Sequence, residues 1–348
     1  MTFSKPLILW YLINKRDLPW RLTTDTYTVW LSEIMLQQTT VKQGMPYFNN
    51  FIRTFPTLKK LANATEEQVL KQWQGLGYYS RARNLFTTAK YVYNELNGIF
   101  PNNYKDLLKL KGIGPYTAAA IASICYNEPV AVLDGNVFRV LARYFNINTP
   151  INSPKGLKEF QTLAQKLIDD NNPANYNQAI MELGALICKP NNPNCINCPI
   201  NKGCLARKNK SINTLPIKIK KIKIKKRYFN YLFIITDDGK TVLTKRSQKG
   251  IWHNLYEFPL IETSKTFEAN DLISHNNFES LFKDINSLDL SCYNSKEIVH
   301  KLTHQHIYTK FWIVKMPQHP LAKLPLNEMS KFPVSTLIHN FIEGYLLH

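Results

Sequence analysis

Leu110-Lys111-Gly112-Ile113-Gly114-Pro115-Tyr116-Thr117 is the stretch on which the reading of this 348-residue chain turns. Its two glycines allow tight backbone turns. Upstream, Tyr104 to Leu110 has a helical pattern, and downstream the Ala-rich run Thr117 to Ile124 favours helix. The segment therefore reads as helix, tight turn, helix, with backbone N–H groups exposed beside a helix N-terminus, a setting that favours phosphate. Taken alone it is equally the signature of a plain helix–helix connection. Working outward, residues 27–204 keep a helical texture, with Tyr27, Trp30, Leu31 and Ile34 at i, i+3, i+4 and i+7. Beyond residue 228 the texture changes. Tyr228 to Thr236, Thr241 to Thr244 and His306 to Val314 are rich in strand-forming residues, and Asp237-Asp238-Gly239 predicts a hairpin between the first two. The chain is also longer than one ordinary domain. The expected organisation is multidomain: an all-α domain over 1–205, a linker over 206–227 and a mixed α/β domain over 228–348.

Charge narrows the class of partner. The formal net charge is +19, and surplus cations attract polyanions and release their counterions on binding. Ten of the cations (Arg207, Lys208, Lys210, Lys218, Lys220, Lys221, Lys223, Lys225, Lys226 and Arg227) fall between residues 205 and 227, where no acid occurs. That stretch alternates Ile with Lys, so it reads as a linker with some capacity to pair as an edge strand. No apolar run approaches the roughly 20 residues of a membrane span. Lys5 and the apolar Pro6 to Ile13 imitate a signal peptide faintly, but Asn14-Lys15-Arg16 stands where small cleavage-site residues belong, so a first helix is expected. Nucleic acid is the leading partner, no membrane contact is expected, and the expected state is a cytoplasmic monomer, associated with the nucleoid if the source is bacterial.

Of six cysteines, Cys188, Cys195, Cys198 and Cys204 occupy seventeen consecutive residues in the spacing C-x6-C-x2-C-x5-C. Four soft ligands this close predict a metal centre rather than disulfides in a cytosolic chain. Spacing alone leaves zinc and an iron–sulfur cluster both open. Cys125 and Cys292 stand alone in apolar surroundings and read as small core residues. Glu33 lies off the stripe formed by Tyr27, Trp30, Leu31 and Ile34, and so is free to face either a cleft or bulk water.

These motifs together resemble the MutY-type adenine DNA glycosylases of the endonuclease III, or helix-hairpin-helix, superfamily. The cysteine spacing is similar to that superfamily's [4Fe-4S] loop, here 188–204. The hairpin, followed about twenty residues on by Val132-Leu133-Asp134-Gly135-Asn136-Val137, resembles its hairpin plus downstream aspartate. Trp30-Leu31-Ser32-Glu33-Ile34-Met35-Leu36-Gln37-Gln38-Thr39 and Gly75-Leu76-Gly77-Tyr78-Tyr79 narrow the match to the MutY type, over residues 18 to 204. The resemblance implies removal of adenine mispaired with 8-oxoguanine in duplex DNA, by hydrolysis of the N-glycosidic bond. Glu33 would be the protonated acid at adenine N7, and Asp134 the anion that stabilises the sugar or bonds to it transiently. Asn136 and Tyr116 match positions that orient these groups and the water. Arg21 and Gln178 match the adenine pocket; Leu36, Gln38 and Thr39 match the contact with the opposing strand; Tyr78 matches an aromatic wedge. Lys111, Gly112 and Gly114 would contact phosphate. Tyr116 stands where the bifunctional lyases carry a Schiff-base lysine, so the implied enzyme is monofunctional.

Residues 228–348 resemble the MutT-like, Nudix-type domain of the same proteins, most clearly at Gly250-Ile251-Trp252 and Tyr256-Glu257-Phe258-Pro259. The Glu-rich helix of a working Nudix hydrolase is missing after Pro259, which leaves recognition as the expected task. Leu302-Thr303-His304 stands in place of the family's Phe-Ser-His loop, so Thr303 and His304 are the implied readers of 8-oxoguanine. An endonuclease III-like glycosylase and lyase acting on oxidised pyrimidines, and a DNA-binding protein without catalysis, are the alternatives. Tyr116 and the second domain weigh against the first, and Glu33 with Asp134 against the second.

Overall fold

A computed structural model describes residues 3–219, 224–283, 285 and 287–346. Lys220, Lys221 and Lys223 of the basic stretch lie outside the described residues. The chain forms two compact units, Met1–Ala64 with Ser80–Lys220, and Thr65–Tyr79 with Lys221–His348.

The first unit is helical: α1 (Ser4–Asn14), α2 (Thr26–Leu36), α3 (Val41–Thr54) and α4 (Leu58–Ala62) precede the excursion that carries α5 (Glu66–Gln72) into the second unit. They are followed by α6 (Ser80–Glu95), α7 (Tyr104–Leu107), α8 (Pro115–Tyr126), α9 (Gly135–Phe145), α10 (Pro154–Leu167), α11 (Pro173–Leu186) and α12 (Leu205–Lys208). Side-chain caps start several of them. Asp25 accepts from Thr28 N, Asn103 from Asp106 N and Ser153 from Gly156 N, each satisfying an N–H that has no partner inside its helix. α1, α8, α9, α10 and α11 share a core of Leu7, Tyr11, Ala120, Val140, Leu141, Phe160, Ile180 and Leu183. Burying each large apolar side chain contributes about 2 kcal/mol. Gly184 is what lets α11 close on α9, since a Cβ there would stand 2.5 Å from Asn136 Cβ.

The second unit is built on a five-stranded sheet. Its strands are β1 (Lys225–Thr236), β5 (Leu260–Thr263), β6 (Asp289–Cys292), β7 (Ile298–Lys301) and β8 (Gln305–Met316). The short strands β2 (Lys240–Thr241) and β9 (Leu324–Pro325) pair with each other, as do β3 (Thr244–Lys245) and β4 (Tyr256–Glu257). β1 lies between antiparallel β5 and parallel β8, and the far edge of β8 takes β6 and β7. α13 (Ala269–Ile273) and α14 (Asn276–Phe282) contribute Leu272, Phe278 and Phe282 to a core on one sheet face. Phe341 of α15 (Thr336–Leu346) stacks on Phe311 of β8 at 4.1 Å between ring centroids.

Four expectations need correction. Asp237-Asp238-Gly239 does turn the chain, with Gly239 at φ +73°, but β1 and β2 form no hairpin; β2 pairs with β9 instead. The expected 206–227 linker is divided: its first part is anchored to the helical unit by buried Ala206 and Leu215 and by Ile151 N donating to Ile217 O, while Lys225 onward is strand β1. Residues 65–79, expected within the helical domain, pack with the second unit. There Lys71 Nζ donates to Phe332 O, Tyr256 OH to a Glu67 carboxyl oxygen, and Tyr79 OH to Val334 O. Cys292, expected in a core, is exposed on edge strand β6, and Cys125 is half-buried.

Candidate active site

The first unit holds a cleft of about 410 Å³ whose walls include Glu33, Asp134, Asn136, Tyr116, Arg21, Gln178, Leu36 and Thr39. Residues more than 150 positions apart in sequence thus converge on one space.

Glu33 reaches the cleft from α2, a helix buried on nearly every side, with Tyr27, Val29, Trp30, Leu31, Ser32, Ile34 and Met35 all covered. It is therefore neither a surface glutamate nor freely solvated. Burial pushes its carboxyl up to about 7; a hydrogen bond from Tyr116 opposes the shift, the charge of Asp134 adds to it, and Arg21 opposes it. The Tyr116 hydroxyl, itself buried and raised well above its ordinary value by that burial and by the two carboxylates, also lies 3.3 Å from Met181 Sδ.

Asp134 has different surroundings. It is the N-cap of α9, and its Oδ1 accepts from the backbone N–H groups of Asn136 (2.9 Å) and Val137 (2.8 Å) while Oδ2 accepts from Asn136 Nδ2 (2.7 Å). Burial raises this carboxyl above its ordinary value, and these three bonds and the Arg139 charge offset part of that rise. A helix N-terminus also favours an anion. Asn136 Oδ1 in turn accepts from Arg139 Nη2 (2.8 Å), and Arg139 Nε donates to Cys188 O (2.6 Å), so the Asp134–Asn136 pair is held from behind by the start of the cysteine loop.

The opposite wall was only half legible in sequence. Tyr11 OH donates to Gln178 Oε1 at 2.7 Å. Arg21 Nη1 and Nη2 both donate to Glu182, which also takes Arg16 N, Nε and Nη2. Burial works to raise Glu182, but the bonds to Arg16 and Arg21 hold it at about 2, as an anion. Arg16, Met181 and Glu182 went unnoticed in the sequence. The available signal was spacing, since Met181 and Glu182 follow Gln178 by three and four residues and share its helix face.

Other expected residues lie outside this cleft. Gln38 is exposed, at φ +57° in the turn after α2. That turn is anchored by another residue missed in sequence, Arg81, whose Nη1 donates to Ile34 O, Met35 O and Gln37 O while Nη2 donates to Thr39 Oγ1. Lys111, Gly112 and Gly114 sit on an exposed hairpin between α7 and α8, anchored by buried Leu110 and Ile113 and by Thr88 Oγ1 donating to Lys111 O at 2.7 Å. Gly112 is required there, because φ is +83° and a Cβ would meet Asn84 Cβ at 2.7 Å. Tyr78, Thr303 and His304 belong to the second unit. Thr303 and His304 are exposed in the turn between β7 and β8, and Tyr78 OH lies 2.9 Å from Thr303 Oγ1.

Cys188, Cys195, Cys198 and Cys204 line one pocket with Arg143, Arg207 and Asn201, and none of the four is in a disulfide. Arg143 braces the loop through its guanidinium, donating to Lys189 O, Pro190 O and, at 3.4 Å, Cys188 Sγ. Among the described residues no group of three or more His, Cys, Asp or Glu is arranged to hold a single metal ion.

Two carboxyls thus face one cleft in a unit that also carries a tight hairpin opening a helix. Residues 31–168 match the HhH-GPD superfamily of base excision DNA repair proteins, and residues 230–344 match the NUDIX domain. A solved structure of a thermostable thymine-DNA glycosylase is 28% identical and superposes with a TM-score of 0.55, covering 60% of this chain and 95% of that one. The adenine DNA glycosylase of Buchnera aphidicola subsp. Schizaphis graminum is 41% identical over 268 residues, 76% of this chain and 77% of the relative. That of Buchnera aphidicola subsp. Acyrthosiphon pisum is 35% identical over 317 residues, 90% and 87% of the two chains. The chain belongs to the adenine DNA glycosylase family.

Proposed function

We propose that this protein is a monofunctional DNA glycosylase of base excision repair that removes adenine opposite 8-oxoguanine in duplex DNA. The observation that carries this reading is the contrast between two carboxyls on one cleft. Glu33 is buried with little to solvate its charge and holds a proton near neutrality, whereas Asp134 is solvated by three hydrogen bonds at a helix N-terminus. Such a pair supplies an acid and an anion at the same pH.

With adenine turned out of the stack into the cleft, Glu33 gives its proton to N7. The C1′–N9 bond breaks, its electron pair leaves with the base, and adenine departs neutral. Positive charge builds on the sugar, where Asp134 stabilises it through space or by a transient bond to C1′. Water then adds to C1′ and loses its proton to a carboxylate of the pair. Asn136 orients Asp134, Tyr116 orients Glu33, and Arg21 and Gln178 line the base pocket, with Arg21 held by Glu182. Among the described residues no lysine lines the cleft, and Tyr116, which cannot form a Schiff base, supports the monofunctional reading. In the second unit, the exposed Thr303 and His304 supply hydrogen-bonding groups for the damaged guanine, beside Tyr78 as the wedge. Lys111 and the N–H groups near Gly112 and Gly114 hold phosphate.

The four cysteines are the ligands of a [4Fe-4S] cluster, whose contribution when bound is to cross-link the 188–204 loop into a rigid, DNA-positioning element. Freshly purified protein is expected to be brown and to contain iron; a colourless, zinc-loaded preparation would overturn this assignment.

The test of function incubates the purified protein with duplexes carrying A opposite 8-oxoguanine. Strand breaks that form only after alkali are expected. Breaks without alkali would instead identify a lyase, and no breaks under either condition would sink the reading.

A further inference from the structure

The sheet of the second unit is only partly covered on one face. There β1 presents Lys226, Tyr228, Asn230, Leu232 and Ile234, and β8, in parallel register, presents His306, Tyr308, Lys310, Trp312 and Val314. α13 and α14 cover the far half, where Leu232, Ile234, Trp312 and Val314 are core residues. The near half is open. Lys226 is exposed, Tyr228 and Tyr308 are half-buried, and β7 adds Lys301 opposite His306 and Val299, 41% exposed, opposite Tyr308.

The chemistry of this open half is specific. Tyr228 and Tyr308 stack with ring centroids 5.1 Å apart, and Lys226 Nζ lies 5.9 Å from the Tyr308 centroid. The neighbour of Tyr228 across β5 is the small Thr263. The acids of the face stand at its border with the helices and are engaged, Glu268 by Lys310 Nζ at 2.7 Å and Glu297 by the Thr266 hydroxyl. Cations set among half-exposed aromatics are how proteins grip a nucleic-acid strand, Lys to phosphate and ring to sugar or base. The patch also runs on from the Thr303–His304 turn. Lys301 ends the strand before that turn, and His306 lies near the start of the one after it.

We propose that the open half of this face is a second DNA surface. The strand that leaves the Thr303–His304 turn lies across it, with phosphates against Lys226 and Lys301 and a sugar or base against the Tyr228–Tyr308 pair. The proposal goes beyond the function above and rests on it only in taking duplex DNA as the ligand.

The test measures equilibrium affinity of the full chain for a fluorescent 8-oxoguanine duplex across a salt series. The double variant Lys226→Glu/Lys301→Glu is compared with Lys315→Glu/Lys323→Glu, which makes the same charge change at exposed lysines of the same unit. The first pair is expected to weaken binding at least tenfold more than the second. It is also expected to flatten the salt dependence by a slope of about 2, one per lost phosphate contact. Tyr308→Leu, which keeps apolar bulk, is expected to weaken binding roughly tenfold, the value of one lost stacking contact. Equal affinities and slopes for the two lysine pairs overturn the proposal, whatever the behaviour of Tyr308→Leu. Discrimination between A opposite 8-oxoguanine and A opposite T by the unaltered protein is read in parallel. Its loss alone sinks the lesion reading and leaves this surface standing.

Discussion

Replacing Glu33 with glutamine is expected to inactivate the protein and stabilise it in the same step. In the unfolded chain this carboxyl titrates near 4.5, and in the folded protein near 7, chiefly because burial strips water from its charged form. The folded state therefore holds a proton that the unfolded state has released between those two values, and folding stability falls as pH rises through that window. At about 1.4 kcal/mol per pH unit, ionising Glu33 costs the native state about 3 kcal/mol once the pH is above 7. Glutamine keeps the shape and never ionises. The stability gain of Glu33→Gln over the native protein should thus be under about 1 kcal/mol at pH 5 and about 3 kcal/mol at pH 8. Denaturant unfolding at both pH values measures it, and single-turnover excision on A opposite 8-oxoguanine should be abolished while duplex binding persists. A gain that is equal at pH 5 and pH 8, or near-normal excision by the variant, would refute the assignment of Glu33 as the buried acid.

Excision by the native protein should fall tenfold per unit above about pH 7, as Glu33 loses its proton, and fall again at acid pH, where Asp134, whose carboxyl burial raises, takes one up. Tyr116→Phe removes a hydrogen bond that favours the charged form of Glu33, so the alkaline limb of that pH–rate profile should move to higher pH; a limb that moves lower would show that the hydroxyl is not bonded to Glu33. Glu182→Gln leaves Arg16 and Arg21 without their shared anion and should cost about 3 kcal/mol in denaturant unfolding, with weaker binding of adenine-containing duplex; a change within experimental error would make the cluster dispensable. Thr303→Ala combined with His304→Ala should lower the preference for 8-oxoguanine over guanine opposite A, and an unchanged ratio of excision rates would remove that turn from recognition.

Local signals in the sequence carried most of the fold. The Gly112-to-Gly114 hairpin, the Ala-rich helix after it, the cysteine spacing and the change of texture at residue 228 are all read from neighbours within one or two turns of chain. Turn, propensity and ligand spacing act over that range. Asp134 was legible for a similar reason: an acid just before Gly-Asn-Val at a helix start caps that helix, whatever else it does. The Asp237-to-Gly239 turn was also legible, but its strand pairing was not, because pairing is a contest among edges that only the assembled sheet settles.

What tertiary structure alone decided is protonation and partnership. Nothing local to Glu33 raises it to about 7; that requires α2 to be covered on nearly every side and Tyr116, Arg21 and Asp134 to be brought to it from three other places in the chain. Glu182 becomes an anchor only when Arg16 and Arg21 arrive from 166 and 161 residues away. Residues 65–79 lie inside the helical half of the sequence and pack with the other unit. Side-chain type and short-range spacing are properties of the chain, whereas desolvation and long-range charge depend on which surfaces the fold presses together.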